Sequence, residues 1–250
     1  MTDRPWPVEA FAELDSTNAE AARRAEGGET GPLWIMAGRQ TSGRGRRGRA
    51  WETSPRNLSA TLLIHTERTP ASAALASFVA ALAVSDLARA YVPQDLAKLK
   101  WPNDLLVDGR KASGLLIESG KAPQGGLWLA IGIGVNLAWS PTDSERPATC
   151  LADHLTADHA AAPTPGAAFQ KLDQAMQTRL RQWDEEGPTW VLSDWMDRAA
   201  GIPGPCTARL GRETLEGWAE GLEPDGALRL RLADGSIRLI SAGDVFFGAA

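Results

Sequence analysis

The sequence predicts a two-part α/β protein, with a larger α/β (α+β) domain over residues 1–200 and a small all-β domain over residues 204–250. Two patterns and one bound predict it. Up to about residue 200, short apolar runs bounded by Gly, Pro and Asn alternate with stretches of helical periodicity. From about Gly204 the texture changes to short alternating strands, "CTARL", "TLEGWAEGL", "ALRLRL" and "SIRLIS". The turns Pro224-Asp225-Gly226 and Asp234-Gly235 separate them, the pattern of a small barrel or sandwich. A hydrophobic fraction of 43% and a charged fraction of 23% over 250 residues are ordinary for a globular chain with a sizeable core.

The elements follow in order. "STNAEAARRAEGG" (16–28) reads as a helix capped by Ser16 or Thr17 and stopped by Gly27-Gly28. "PLWIMAG" (32–38) has the length of a buried strand, and "NLSATLLIH" (57–65) is a strand rich in β-formers. "ASAALASFVAALAVSDLARAY" (71–91) is apolar on most faces and reads as a buried helix. "LAKLKWPNDLLVDGRKASGLLIES" reads as three strands, broken at Pro102-Asn103 and at the hairpin signal Asp108-Gly109. "GGLWLAIGIGVNL" (125–137) is a further strand. A loose stretch, 141–165, holds His154 and His159, which read as solvated loop residues. Two amphipathic helices follow, and their Trp183, Trp190 and Trp195 are expected to pack them onto the main domain.

Composition excludes several classes. A formal net charge of −5 argues against a general nucleic-acid binder. Cys150 and Cys206 are the only cysteines, without a C-x-x-C or His/Cys cluster, so neither a disulfide framework nor a structural zinc site is expected. The opening "MTDRPWPVEAF" lacks the marks of a signal peptide, and no apolar run is read as a bilayer span. The expected compartment is the cytosol.

Against this acidic background, "GRQTSGRGRRGRAW" (38–51) concentrates five arginines and four glycines. Gly43, Gly45 and Gly48 let the backbone move and approach a ligand closely. The guanidiniums are permanent planar donors for carboxylate or phosphate. Their mutual repulsion favours an open loop that an anion can order, so the segment can be both binding site and lid. Taken alone it also fits a solvated basic loop or an RNA-binding segment of RGG type. It is not a Walker loop, since G-x-x-x-x-G-K-[ST] is absent, and "GIG" (132–134) is too short for a dinucleotide fingerprint. The basic residues divide into 21 Arg and 5 Lys, and three of the lysines, Lys98, Lys100 and Lys111, share one short segment. That segment contains Trp101-Pro102-Asn103-Asp104, whose polar pair can bind backbone or ligand. By itself it is equally a structural turn.

Together, "STN" (16–18), "QTSGRGRRGRAW" (40–51), "KWPNDLLVDGRKASGLLIE" (100–118) and "IGIGVN" (131–136) resemble the motifs of biotin protein ligases in order and spacing. "DGALRL" and "SAGDV" resemble that family's terminal barrel. The resemblance implies a biotin/lipoate ligase-like catalytic domain with a mixed sheet and a C-terminal SH3-like β-barrel. It implies ATP-dependent conversion of biotin to biotinyl-5′-AMP, then transfer to a lysine of a biotin carboxyl carrier protein domain of a carboxylase such as acetyl-CoA carboxylase. Ser16, Thr17 and Asn18 match the family's biotin-contacting triplet. Gln40, Arg44, Gly45 and Arg46 match the loop over biotin and the adenylate phosphate. Lys100 matches a lysine at the reacting carboxylate and phosphoryl group, so the catalytic roles fall on Lys100, Arg44 and Arg46. Lys111 and Asn136, with Arg46, match positions near the nucleotide, and Gly114 and Gly132 match glycines of the biotin pocket. Mg2+ is expected on the phosphates, with no protein ligands identified.

The triplet begins at residue 16, so neither a helix-turn-helix nor operator binding is expected. The region 140–204 matches the family least, and Cys150 stands where the family often has a small or hydroxyl residue. A homodimer through sheet edges is compatible with the resemblance. The rival readings are a lipoate–protein ligase and a non-enzymatic RNA-binding module using residues 38–51.

Overall fold

The computed structural model describes residues 5–142, 147–211 and 213–248. The first residues of the N-terminal reading (1–4), part of the loose stretch (143–146) and positions 212, 249 and 250 of the small domain lie outside the described residues.

The larger part is a seven-stranded sheet. Its strands are β1 (Val8–Leu14), β2 (Leu33–Gln40), β3 (Leu58–Thr66), β4 (Ala97–Lys100), β5 (Asp104–Val107), β6 (Arg110–Lys121) and β7 (Leu127–Val135). They lie in the order β1-β2-β3-β7-β6-β5-β4. β1 and β2 run parallel and every other neighbouring pair antiparallel, so the sheet is mixed. The smaller part pairs β8 (Gly204–Leu210), β9 (Glu213–Leu222), β10 (Leu228–Leu232), β11 (Ile237–Ile240) and β12 (Asp244–Phe247) in the antiparallel order β11-β10-β9-β8-β12.

Helices cover both faces of the large sheet. α1 (Thr17–Glu26) lies on one, where Ala21 and Ala25 meet Ile35, Leu63 and Ala130. α2 (Pro70–Ala74), α3 (Ala76–Arg89), α4 (Pro165–Glu186) and α5 (Pro188–Asp197) belong to the other, with Trp34, Leu62, Leu129 and Ile131 beneath them. Eleven of the fourteen residues of α3 are buried because the sheet covers one side and α4 and α5 the other. Trp183 and Trp195 are buried in this core and Trp190 packs against it.

Four details differ from the sequence reading. β1, "VEAFAEL", is an edge strand whose glutamates face solvent, so it carries no continuous apolar run. β12 is a strand as well. The helix over 71–91 is two helices, because Thr69 and Pro70 start α2 and Leu75 joins it to α3. Finally, Pro70–Arg89 is long and apolar enough to span a bilayer by composition, but that stretch is mostly buried inside the fold.

The register of β3, β7 and β6 explains where a cavity opens. On the α1 face, adjacent residues form the rows Leu63–Ala130–Glu118, Thr61–Gly132–Leu116 and Ser59–Gly134–Gly114. Side chains alternate faces along a strand, so these rows share one surface. They dwindle from residues α1 can pack on to residues with almost no side chain. Beyond the N-terminus of α1 the sheet is therefore a floor with empty space above it.

Candidate active site

A cavity of about 390 Å³ stands on this floor, a volume suited to a small organic ligand. Ser16, Thr17, Asn18, Gln40, Arg44, Gly45, Arg46, Lys111, Gly114, Gly132 and Asn136 all line it. The small domain closes one side with Gly243, Asp244 and Val245.

The end nearest α1 is polar and buried. Ser16 caps the helix, its hydroxyl accepting the Ala19 N–H at 3.5 Å. Beside it, Asp15 is held down to about 2, first by hydrogen bonds from Arg23 and then, against a smaller effect of burial, by the Ser16 N–H. The Thr17 N–H donates to Gln40 Oε1 at 2.8 Å, tying the helix to the end of β2. Asn18 Nδ2 donates to the Leu116 carbonyl at 3.1 Å and to Glu118 at 2.8 Å. A Cβ on Gly132 would overlap the Asn18 amide oxygen, so only glycine fits there.

One row further along, cations gather. Lys111 Nζ pairs with Asp104 at 2.6 Å and lies 5.5 Å from the centre of the Trp51 ring. The indole rests on the glycine floor: a Cβ on Gly134 would overlap it, and one on Gly114 would sit 3.1 Å from both Trp51 and Lys111. Arg44 faces Glu118 at 3.3 Å, and Arg46 donates to Asn103 Oδ1 at 3.3 Å. Arg47 and Arg49 reach across to Asp244 of the small domain at 2.9 and 2.7 Å. The loop is folded on itself, with Gly45 N–H donating to Arg49 O at 2.7 Å and Trp51 N–H to Gly43 O at 2.9 Å. Arg47 and Gly48 turn its tip with positive φ values of 58° and 73°.

At the far end Asn57 and Asn136 meet, Asn57 Nδ2 donating to Asn136 Oδ1 at 3.3 Å. Asn136 Nδ2 donates to the Thr149 carbonyl at 3.0 Å, holding the 147–154 segment beside the cavity.

Lys100 is not brought to this cavity. It ends β4, and alternation directs it away from the buried, cavity-lining Trp101. Its ammonium lies over the Phe246 ring at 5.4 Å. Nearby Cys206 is pushed up to about 11 by burial, against the opposing charge of Lys100. Lys111 reaches the cavity instead through a bulge. Leu105 pairs with Ser113 but Leu106 with Lys111, so Ala112 is the extra residue and the lysine is re-aimed.

His154 and His159 are half-buried rather than solvated. His154 Nε2 lies 2.9 Å from Thr149 Oγ1 and 3.1 Å from Arg110, while His159 meets the Ala90 carbonyl at 2.8 Å. Burial, then Asp153, pushes the Cys150 thiol up. Thr61, Asn103, Glu118, Gly134 and Asp244 were not singled out by the sequence as site residues. Asn103, Glu118 and Gly134 lie inside motifs that flag the cavity, and Asp244 lies inside the "SAGDV" of the small domain.

Comparison with known proteins follows the same division of the chain. Residues 10–137 match the Biotin/lipoate A/B protein ligase family, and residues 205–248 match the Biotin protein ligase C terminal domain. The chain is 38% identical over 240 residues to a biotin--[acetyl-CoA-carboxylase] ligase of Paracoccus denitrificans, covering 95% of this chain and 99% of that one. It is 30% identical over 244 residues to the ligase of that name from Mycobacterium tuberculosis, covering 95% and 88%. In fold it is similar to the biotin protein ligase from Aquifex aeolicus solved in complex with biotin and ATP, with a TM-score of 0.79 at 23% identity over 97% of this chain and 99% of that chain.

Proposed function

The chain belongs to the Biotin/lipoate A/B protein ligase family, and from that premise we infer that it activates biotin with ATP and transfers it to a carboxylase carrier domain. The observation that carries the reading is the order of groups along the floor. A buried hydroxyl and amide end gives way to a cluster of cations, and then to Asn136.

Biotin fits this order head first. Ser16 has a hydroxyl proton to donate to the ureido oxygen, and Thr17 an oxygen to accept a ureido N–H. The chain then runs over Gly132 and Gly134, past Trp51, and places the carboxylate among Lys111, Arg44 and Arg46. Bringing that carboxylate to the α-phosphate of ATP opposes two anions, a repulsion of about 4 kcal/mol at about 4 Å near a protein surface. The three cations offset it and stabilise the charge that builds on the pentavalent phosphorus. Carboxylate oxygen bonds to phosphorus, pyrophosphate departs, and biotinyl-5′-AMP remains. This mixed anhydride is vulnerable to water, and the 43–51 loop covers it. The ε-amine of a carrier lysine then attacks the acyl carbon, and AMP leaves.

The geometry thus supports giving the role first expected of Lys100 to Lys111. Asn136 and Arg46 are assigned to the nucleotide. Mg2+ arrives as part of the nucleotide substrate. Asp104, Glu118 and Asp244 are each engaged with cations, and no group of three His, Cys, Asp or Glu among the described residues is placed to hold a metal ion. The residues therefore do not fit a dedicated metal cage.

Biotin is favoured over lipoate by the matched C-terminal domain, which is SH3-like. An RNA-binding loop is disfavoured because Arg47 and Arg49 are turned onto Asp244. A cytosolic location and sheet-edge pairing of two chains complete the proposal, and sedimentation at assay concentration tests the pairing. The function is tested by the intact mass of a biotin carrier domain incubated with the protein, MgATP and either biotin or lipoate. ATP-dependent labelling by biotin alone is expected. Labelling by lipoate alone moves the chain to the sister activity.

A further inference from the structure

The arginine loop is fastened to both domains, by different residues. Arg44 faces Glu118 and Arg46 donates to Asn103, each at 3.3 Å. Both ties run to the large domain, and both must loosen when these two guanidiniums turn to a carboxylate and a phosphate. The other fastening crosses to the small domain. Arg49 donates to Asp244 through both ends of its fork, Nη1 to Oδ1 at 3.0 Å and Nη2 to Oδ2 at 2.7 Å, and Arg47 Nη1 donates to Oδ2 at 2.9 Å. Arg47 has a left-handed backbone, φ 58°, which residues other than glycine rarely hold. At that turn consecutive guanidiniums part, Arg46 going to Asn103 and Arg47 to Asp244. Asp244 itself is firmly placed. Its side chain is 13% exposed, and it opens β12 opposite Arg209 of β8. Phe246, two residues on and therefore on the same face, lies 5.4 Å from the Lys100 ammonium at the end of β4. The strand that carries Asp244 is thus seated on the large domain without help from the loop.

We propose that Asp244 is a positioning residue that holds the 43–51 loop shut over the adenylate, so that the small domain sets how long the intermediate stays bound. This rests on the ligase reading of the cavity and deepens it. The ties through Arg44 and Arg46 compete with the ligand, because the ligand recruits the same guanidiniums. The tie through Arg47 and Arg49 does not depend on them, so it can act before, during and after adenylation. Both of its guanidiniums remain exposed, so water competes for them and the loop can still open to admit ligands.

Two readouts test it. Trypsin cuts after arginine where the chain opens, so nicking within residues 44–49 of the ligand-free protein reports the latch by itself. Release of labelled biotinyl-5′-AMP, formed with MgATP and chased with unlabelled biotin, reports its consequence. Asp244→Asn should speed both about tenfold, the scale of one charge-assisted hydrogen bond. Asp244→Glu, which restores a carboxylate, should reverse most of both effects. Arg49→Gln cuts the same contact from the loop side, so it should speed release even if Asp244→Asn disturbs the small domain. The double variant should release no faster than Asp244→Asn alone, because both changes remove one interaction. Wild-type release in Asp244→Asn and Arg49→Gln overturns the proposal alone. So do additive effects with tryptic cuts spread through the small domain, the mark of a merely structural defect. A wild type that forms no biotinyl-5′-AMP overturns the ligase reading and this proposal with it.

Discussion

Arg179 of α4 and Arg198, just after α5, meet Asp86 of α3 and Asp194 of α5 in a lattice of contacts between 2.6 and 3.0 Å. Their side chains are 11% and 10% exposed. Arg44, Arg47 and Arg49 of the cavity loop also have carboxylate partners, but they are 48%, 40% and 43% exposed. Both groups use the same side chain. In the first, two guanidiniums and two carboxylates are locked where exchange for another anion would strand a buried charge. In the second, each guanidinium stands at the edge of water, where a ligand anion can reach it. Exposure and exchangeability, rather than the number of arginines, separate a helix clamp from an anion site.

That distinction can be broken most forcefully at the clamp. Arg198→Ala should cost about 3–5 kcal/mol of stability, because it leaves two carboxylates facing one guanidinium. Urea denaturation measures it, and a loss under about 1 kcal/mol would erase the contrast. At the cavity the signature reverses. Lys111→Ala should lower adenylate formation about 100- to 1,000-fold, the effect of removing one preorganised group from a charge-developing site. Its melting temperature should fall less than that of Arg198→Ala, because only Asp104, 7% exposed, loses that ammonium. Lys100→Ala should remain within about threefold of wild-type rate, and pyrophosphate exchange on both variants checks the assignment.

Acid should sharpen the comparison at the clamp. Burial alone would raise Asp86, but the hydrogen bonds and charges of Arg179 and Arg198 outweigh it and hold the carboxyl below its ordinary value. A lowered native value means stabilisation that is present above the unfolded carboxyl pKa, about 4, and lost as pH falls through the native one. Stability measured from pH 6 downward should therefore decline below about pH 4, and more steeply than in Asp86→Asn. The smallest effect is expected at Arg39. It pairs with Glu13 at 2.7 Å, but the two side chains are 63% and 52% exposed. Arg39→Gln should change stability by less than about 1 kcal/mol and leave adenylation unaltered.

Much of the site was legible because its motifs are local. The Ser16 cap, the glycines that approach Asn18 and Trp51, and the arginine loop each depend on a few neighbouring residues. That Lys111 rather than Lys100 lines the cavity was not legible, because the reach of a strand residue depends on register, and the bulge at Ala112 changes that register without marking the sequence. Glu118 and Asp244 were illegible for another reason. Arg49 and Asp244 are 195 positions apart, and only the docking of the small domain makes them neighbours. The edge strand β1 escaped because half-exposed strands with glutamates carry little of the apolar signal that betrays a buried strand.

Trp51 lends the cavity an optical consequence. Its indole lies on the glycine floor over which an acyl chain must run, 5.5 Å from an ammonium. An arriving ligand either stacks on that ring or displaces it, and in both cases the ring exchanges its surroundings. Although the chain holds ten tryptophans, Trp34, Trp183 and Trp195 are fixed in the core away from the cavity and should emit as a constant background. Occupancy should therefore be readable as a change in intrinsic fluorescence that disappears in Trp51→Phe, giving a label-free clock for binding and, after adenylation, for the lifetime of the intermediate.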